Sequence, residues 1–270
     1  EEEKRVVFHK DVGPLVSMQE MSRCIHCTRC VRFGQEVAGV MELGMSHRGE
    51  HAEIETFVGM SVDSELSGNM IDICPVGALT SRPYAFEARP WELKKTLSID
   101  VSDAVGANIR LDSRGREVMR ALPRINDDVN EEWISDKARY QVDGLSKRRL
   151  DKVFMRKRGK LQQASWDEAF KASAKAKRGN SIAAIAGDLA CAESMKALKD
   201  LYASLGSPNI DCRQDGAKLA AGNRGGYIFN STIAGIEDAD AILLVGTNPR
   251  IEPPIINARI LKRSRAGGLR

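Results

Sequence analysis

The sequence has no apolar run approaching the roughly 18–20 residues a membrane-crossing helix needs; its best candidates are SIAAIAG from Ser181 and ADAILLVG from Ala239. Such a chain is not expected to span a bilayer by itself. Cysteine is scarce as well, six in 270 residues, too few for a disulfide scaffold, and no basic-then-apolar leader argues for an oxidising compartment. A reducing compartment is the expectation. The opening EEEKRVVFHK lacks an initiator Met, and the closing NARILKRSRAGGLR carries five basic residues and no acid. Both ends read as cuts through a longer gene product. A Walker A sequence, an HExxH pair, a complete GxGxxG and a plausible Ser-His-Asp set are all missing. Asn230-Ser231-Thr232 fits a glycosylation acceptor but has no secretory context to use it.

What is present supports globular structure, since 42% of the residues are apolar and 270 residues suffice for one large domain or two to three ordinary ones. Net charge is a mild +4, yet residues 147–160, KRRLDKVFMRKRGK, hold eight basic residues against Asp151 alone. Without a groove-reading motif this reads as a solvated linker or a docking surface for an acidic partner, and no nucleic acid is expected.

The pattern divides into three blocks. Residues 1–92 carry short helical patches, such as Leu15 to Val37, and end near Cys74-Pro75 with Pro83 and Pro90 beyond. Residues 93–150 alternate, with a Ser113-Arg114-Gly115-Arg116 turn between two expected strands, which predicts a small β-rich subdomain. Residues 151–270 show a βα rhythm. Ser165 with Glu168 opens a helix, Ile182 to Ala186 reads as a strand, and Ala192 to Leu205 as a second helix. A short strand is expected near Ile210 and a buried one over Ala241 to Val245, running into Gly246-Thr247-Asn248-Pro249. The fold class is α/β and α+β multidomain, with a partial parallel-sheet domain last.

The densest chemistry lies in MSRCIHCTRCVRF, residues 21–33, where Cys24, Cys27 and Cys30 stand three apart. Three thiolates so close suit one compact, anionic, sulfur-loving object, and a cubane 4Fe-4S cluster fits if a fourth sulfur arrives from a distance. Cys74, followed by Pro75, offers it, because Pro turns the chain away once the ligand is delivered. Zinc is the main competitor, although it favours Cys pairs split by a longer spacer; a redox pair or free thiols are the remaining possibilities. Cys191 and Cys212 read as small core residues. His26 lies between cysteines and is expected to pack or face solvent, and His9, His47 and His51 lack ligand spacing. Arg23, Arg29 and Arg32 surround the motif, where positive charge favours a reduced cluster; a salt-bridged helix face explains them equally well.

The motif, followed by SELSGNMIDICPVGALTSRPYAFEARPWE and VNEEWISDK, closely resembles the large iron-sulfur subunit of respiratory complex I, NADH:quinone oxidoreductase, across essentially the whole chain. The resemblance implies an electron-transfer subunit of a translocase with no substrate chemistry of its own and no catalytic residues. Single electrons would pass from the flavin side toward quinone. It implies a ferredoxin-like segment in which Cys24, Cys27, Cys30 and Cys74 match the iron ligands, then regions of the molybdopterin oxidoreductase type. A 2Fe-2S domain and a cluster with one His and three Cys ligands would precede them. The partners implied are the flavin-bearing NADH-oxidising subunit, a 2Fe-2S subunit and quinone-module subunits. The implied location is peripheral to the inner membrane, facing the bacterial cytoplasm or the mitochondrial matrix. Aligned on DVSDAVGA, the second cluster motif of the related enzymes falls on Asp100, Asp103, Ala107 and Ser135, so one cluster per chain is expected. Gly246-Thr247-Asn248-Pro249 resembles a loop that cradles a pterin phosphate, which keeps a molybdopterin-dependent, formate dehydrogenase-like module as an alternative, beside a zinc-stabilised scaffold.

Overall fold

A computed structural model of the chain describes residues 7–175, 179–213, 216–218 and 222–270; the opening stretch discussed above lies outside these up to residue 6. Two compact units emerge, Glu1–Lys147 with Asn230–Arg270, and Arg148–Phe229.

In the first unit, Val16–Ser17 (β1) pairs antiparallel with Thr80–Ser81, numbered β4 below. The helical stretch expected over Leu15 to Val37 is broken. Only Arg29–Phe33 (α1) is α-helical, followed by a π-type turn over Gly34–Ala38. His26 and Thr28, at φ +54° and +57°, explain the break, because left-handed residues cannot continue a right-handed helix. Leu43–Ser46 (β2) and Glu53–Thr56 (β3) form a hairpin that buries Leu43 and Ile54. A one-turn helix, Asn69–Ile73 (α2), ends at Cys74, and Thr80–Ser81 (β4) closes the segment.

Lys94–Ile99 (β5), Asn108–Arg114 (β6) and Glu117–Pro123 (β7) make the antiparallel sheet expected of this block, in the order β5-β6-β7. Gly115, at φ +61°, supplies the left-handed residue the β6–β7 turn requires. Asp112 is fully buried in this sheet because Arg110 and Arg120 donate to its two oxygens at 2.9 and 2.8 Å, and Arg120 also lies 4.7 Å over the Tyr84 ring. Asp136–Tyr140 (α3) follows, its N-cap Ser135 accepting from Ala138 N at 3.1 Å.

The second unit opens with Val153–Lys157 (β8) and Lys160–Ala164 (β9), an antiparallel hairpin. The basic stretch is therefore partly strand, where a solvated linker was one of the expectations; its charged side chains stay exposed. Trp166–Ala174 (α4) has the expected capping box, with Ser165 Oγ accepting from Glu168 N at 3.2 Å and Glu168 accepting from Ser165 N at 3.3 Å. Ala184–Ile185 (β10), Ala192–Ser204 (α5) and Ile210–Asp211 (β11) form a strand–helix–strand crossover with parallel pairing, in agreement with the sequence rhythm.

Back in the first unit, the strand expected over Ala241 to Val245 is absent among the described residues. Leu243 and Val245 are 87% and 77% exposed, and Ile242 N donates only to Arg270 O. An apolar, β-branched run becomes a strand only beside a neighbour that offers a ladder, and here no strand does so. Pro254–Arg265 (α6) buries Ile255 and Ala258 and carries Arg259, only 2% exposed. The Arg259 guanidinium bonds Glu237 at 2.5 Å, Val129 O at 3.2 Å and Asp127 O, which satisfies a charge that would otherwise be costly to bury. This helix packs with the first block although it lies at the far end of the chain.

Candidate metal centre

Cys24, Cys27, Cys30 and Cys74 line one cavity, whose apolar wall includes Met21, Ile25, Ile54, Val76 and Leu79. Three of the thiols come from the bend before and within α1, and the fourth from the C-terminal end of α2. The left-handed His26 and Thr28 curl the backbone between the cysteines, and His26 N donates to Cys24 Sγ at 3.4 Å. Amide donation of this kind suits a sulfur that carries negative charge. Left-handed backbone at a non-glycine residue costs roughly 1–2 kcal/mol, and it persists where surrounding contacts fix it.

Burial pushes the Cys30 thiol up to about 11; donation from Val31 N opposes this, and charge on Cys24 and Cys27 adds to it. A bare Cys30 is thus protonated at neutral pH, and binding of a metal or cluster would release that proton. The donor set fits an iron-sulfur cluster: four thiols, apolar walls and backbone amides. Among the described residues, no three His, Cys, Asp or Glu side chains close on one point as the ligands of a single ion would. A lone zinc with Zn–S near 2.3 Å needs sulfurs only about 3.8 Å apart.

The arginines divide. Arg23 is tied to Glu20 at 3.5 Å on the surface, whereas Arg29 lines the cavity. His26 contributes its backbone, and the residues lining the cavity do not include its ring. Cys191 and Cys212 are exposed, against the expectation of small core residues; Cys191 is the N-cap of α5 and Cys212 follows β11, so each stands at the end of an element and not on a buried face.

The positions aligned with a second cluster motif hold a hydrogen-bonded polar network. Asp100, 2% exposed, accepts from Ser102 N, Ser102 Oγ and Gln141 Nε2; Asp103 accepts from Val105 N; Ala107 is buried; Ser135 caps α3. At the loop compared with a phosphate cradle, the protein's own carboxylate takes the donors: Glu252 accepts from Thr247 Oγ1 at 2.8 Å and Asn248 N at 3.1 Å.

Residues 13–80 match the family described as NADH-quinone oxidoreductase subunit 3, ferredoxin-like domain, and residues 93–143 match the NADH-ubiquinone oxidoreductase NDSU1/NuoG-like, 4Fe-4S domain. Residues 149–270 match molybdopterin oxidoreductase. The G subunit of NADH-quinone oxidoreductase from Rickettsia conorii is 54% identical over 100% of this chain and 40% of its own length. The chain belongs to the family of this oxidoreductase's G subunit. Mitochondrial members are equally similar. The 78 kDa NADH-ubiquinone oxidoreductase subunit of Candida albicans is 56% identical over 96% of the chain and 37% of its own length. The iron-sulfur protein 1 of NADH dehydrogenase from Solanum tuberosum is 56% identical over 98% and 36%. The chain thus spans about two fifths of the length of these relatives. Within the family's 4Fe-4S match, residues 93–143 contain no cysteine, so every cysteine of the cavity lies in the ferredoxin-like match. No helix among the described residues is long and apolar enough to cross a membrane.

Proposed function

We propose that this chain is an electron-relay segment of the NADH:quinone oxidoreductase, holding one 4Fe-4S cluster on Cys24, Cys27, Cys30 and Cys74. The observation that carries the reading is that four cysteines from two distant segments line one apolar cavity. The cluster supplies reversible one-electron chemistry; the protein fixes its position, excludes water with Met21, Ile54 and Leu79, and sets its local charge through Arg29. Electrons enter from the flavin-bearing, NADH-oxidising side and leave toward the quinone-module subunits. The chain sits in the peripheral arm, facing the bacterial cytoplasm or the mitochondrial matrix, with the 2Fe-2S subunit among its neighbours.

The 149–270 match favours the second reading, a molybdopterin-dependent, formate dehydrogenase-like module. The Glu252 carboxylate at Thr247 and Asn248 argues against an anion in that loop. Iron and acid-labile sulfide analysis with EPR of the reduced, anaerobically prepared chain tests both. About four irons and four sulfides per chain with a cluster signal support the relay. Zinc without sulfide, or Mo(V) features, would overturn it. In Cys74→Ser the site should hold its iron poorly, and a stable cubane there would remove Cys74 from the ligand set.

A further inference from the structure

The two arms that bring the cysteines together are gripped by one later segment, residues 133–139 of the VNEEWISDK stretch and its continuation. Trp133 packs on Phe33, the last residue of α1, with ring centroids 5.0 Å apart, so it touches the arm that carries Cys30. The same segment holds α2, the arm that delivers Cys74. Asn69 and Ile134 exchange two hydrogen bonds, Asn69 Nδ2 to Ile134 O at 2.8 Å and Ile134 N to Asn69 Oδ1 at 3.1 Å. Asp136 accepts from Gly68 N at 2.7 Å and Ser67 Oγ at 2.5 Å, at the start of a helix whose own N-cap residue is a glycine. Arg139 reaches Asn69 Oδ1 at 3.3 Å and Asp72 Oδ2 at 2.5 Å, two residues short of Cys74. Ser67, Asn69 and Ile134 are fully buried, and Arg139 is 5% exposed. This network lies outside the cavity lining.

We propose that Trp133, Asp136 and Arg139 are positioning residues that act as a brace between the cysteine arms, fixing the distance from Cys30 to Cys74 and thereby the retention and potential of the cluster. The inference rests on the relay reading. Polar partners that orient metal ligands from behind are worth about 10- to 100-fold in metal affinity or activity, and α2, a single turn, has little rigidity of its own. Charge alone does not explain the arrangement, because Arg139 ties two side chains of α2 at once and a lysine cannot reproduce that fork.

The test is iron release to a chelator, with a redox titration of the cluster, in the full anaerobically reconstituted chain. Arg139→Lys and Trp133→Leu are compared with Arg120→Lys, which weakens the Asp112 ion pairs in the β-sheet and leaves the brace intact. The brace predicts iron release about 10- to 100-fold faster in the first two variants and a displaced midpoint. Arg120→Lys should lower the melting temperature and leave both readouts unmoved. Should Arg139→Lys not fold, Trp133→Phe, which keeps an aromatic contact, serves in its place and should show a smaller change of the same sign. Variants that release iron at the parental rate, or an Arg120→Lys that releases it as fast as Arg139→Lys, would overturn the brace while the relay stands. A parent chain lacking iron and sulfide would remove both.

Discussion

The two units use similar helical and strand patterns to different ends. In Glu1–Lys147 with Asn230–Arg270, side chains far apart in sequence meet: Met18, Phe33, Ile54, Ile109, Ile134 and Ile255 are all buried in one core. In Arg148–Phe229, the described residues that are buried are Ala186 and Ser207, while Trp166, Phe170 and Leu201 are 67%, 63% and 52% exposed. Capping boxes, i to i+4 ion pairs and helix propensity are enough to draw elements, as α4 and α5 demonstrate, but they bury little. Long-range burial is what gives a core and holds a site to a fixed geometry. It is therefore no accident that the four cysteines of the cavity lie in the first unit, while Cys191 and Cys212, in the second, stay exposed.

The strongest way to break this contrast is to remove side chains of similar size from each unit. Ile134→Ala deletes a fully buried side chain beside α2 and should cost about 2–5 kcal/mol, whereas Leu201→Ala, on an exposed helical face, should stay within about 0.5 kcal/mol. Urea unfolding followed by fluorescence in variants that keep Trp133 alone for the first unit, or Trp166 alone for the second, with the remaining tryptophans changed to Phe, measures each. Equal costs would mean that the second unit has a core of its own. A smaller effect is expected at Gly68, where an added Cβ would stand 2.6 Å from Arg139 Cδ and Nε and 2.9 Å from Asp136 Oδ1. These atoms are pinned by the brace and cannot retreat cheaply. Gly68→Ala should cost about 1–3 kcal/mol in the first unit, and the same unfolding experiment shows whether Trp133 and Trp166 respond separately.

How much of this was legible in the sequence follows the same division. The β6–β7 turn, the Ser165/Glu168 capping box, the α5 helix and the parallel β10–β11 pair all depend on residues within a few positions of one another or on a crossover rhythm, and the sequence carried them. That the four cysteines would share one cavity was legible because a short spacing and a Cys-Pro pair are themselves local signals. Trp133 on Phe33 and Asp136 beneath Gly68 were not. Nothing in VNEEWISDK announces which distant helix it will hold, although its resemblance to the family marked it out. The failed strand over Ala241 to Val245 has the opposite cause. Its local pattern is right for a buried strand, and the partner that would make it one lies outside anything the pattern encodes. His26 and Thr28 were missed as helix breakers because a left-handed residue other than glycine or asparagine leaves almost no mark in sequence.

Ser165→Ala sharpens the comparison from the other side. Losing the cap of α4 should cost about 1 kcal/mol, confined to Trp166 fluorescence and a fraction of the helical signal, with Trp133 unmoved. A response at Trp133 would show that the units unfold as one, and the contrast would then lie in burial alone.

Acid provides the mildest and most selective probe, because the two units hold their lowered carboxylates differently. Burial works to raise the Asp112 carboxyl, but hydrogen bonds and charge from Arg110 and Arg120 outweigh it and hold its pKa below the ordinary value. Since the folded value lies below the unfolded one, the unfolded chain binds more protons in that window. The contribution is complete above about pH 4 and is lost as pH falls through the folded value. In the second unit, Asp211 is held low by hydrogen bonds from the Arg213 side chain, the Arg213 amide and the Cys212 amide, on an exposed surface where solvent and salt screen the charge. Stability of the first unit should therefore fall as pH drops below the ordinary carboxylate range, in a way that Asp112→Asn flattens and added salt barely changes. Any acid sensitivity from Asp211→Asn should be small and vanish in salt. Urea midpoints across that range at two ionic strengths decide the matter, and a salt-sensitive Asp112 effect would mean that its two arginines hold a solvated charge and not a buried one.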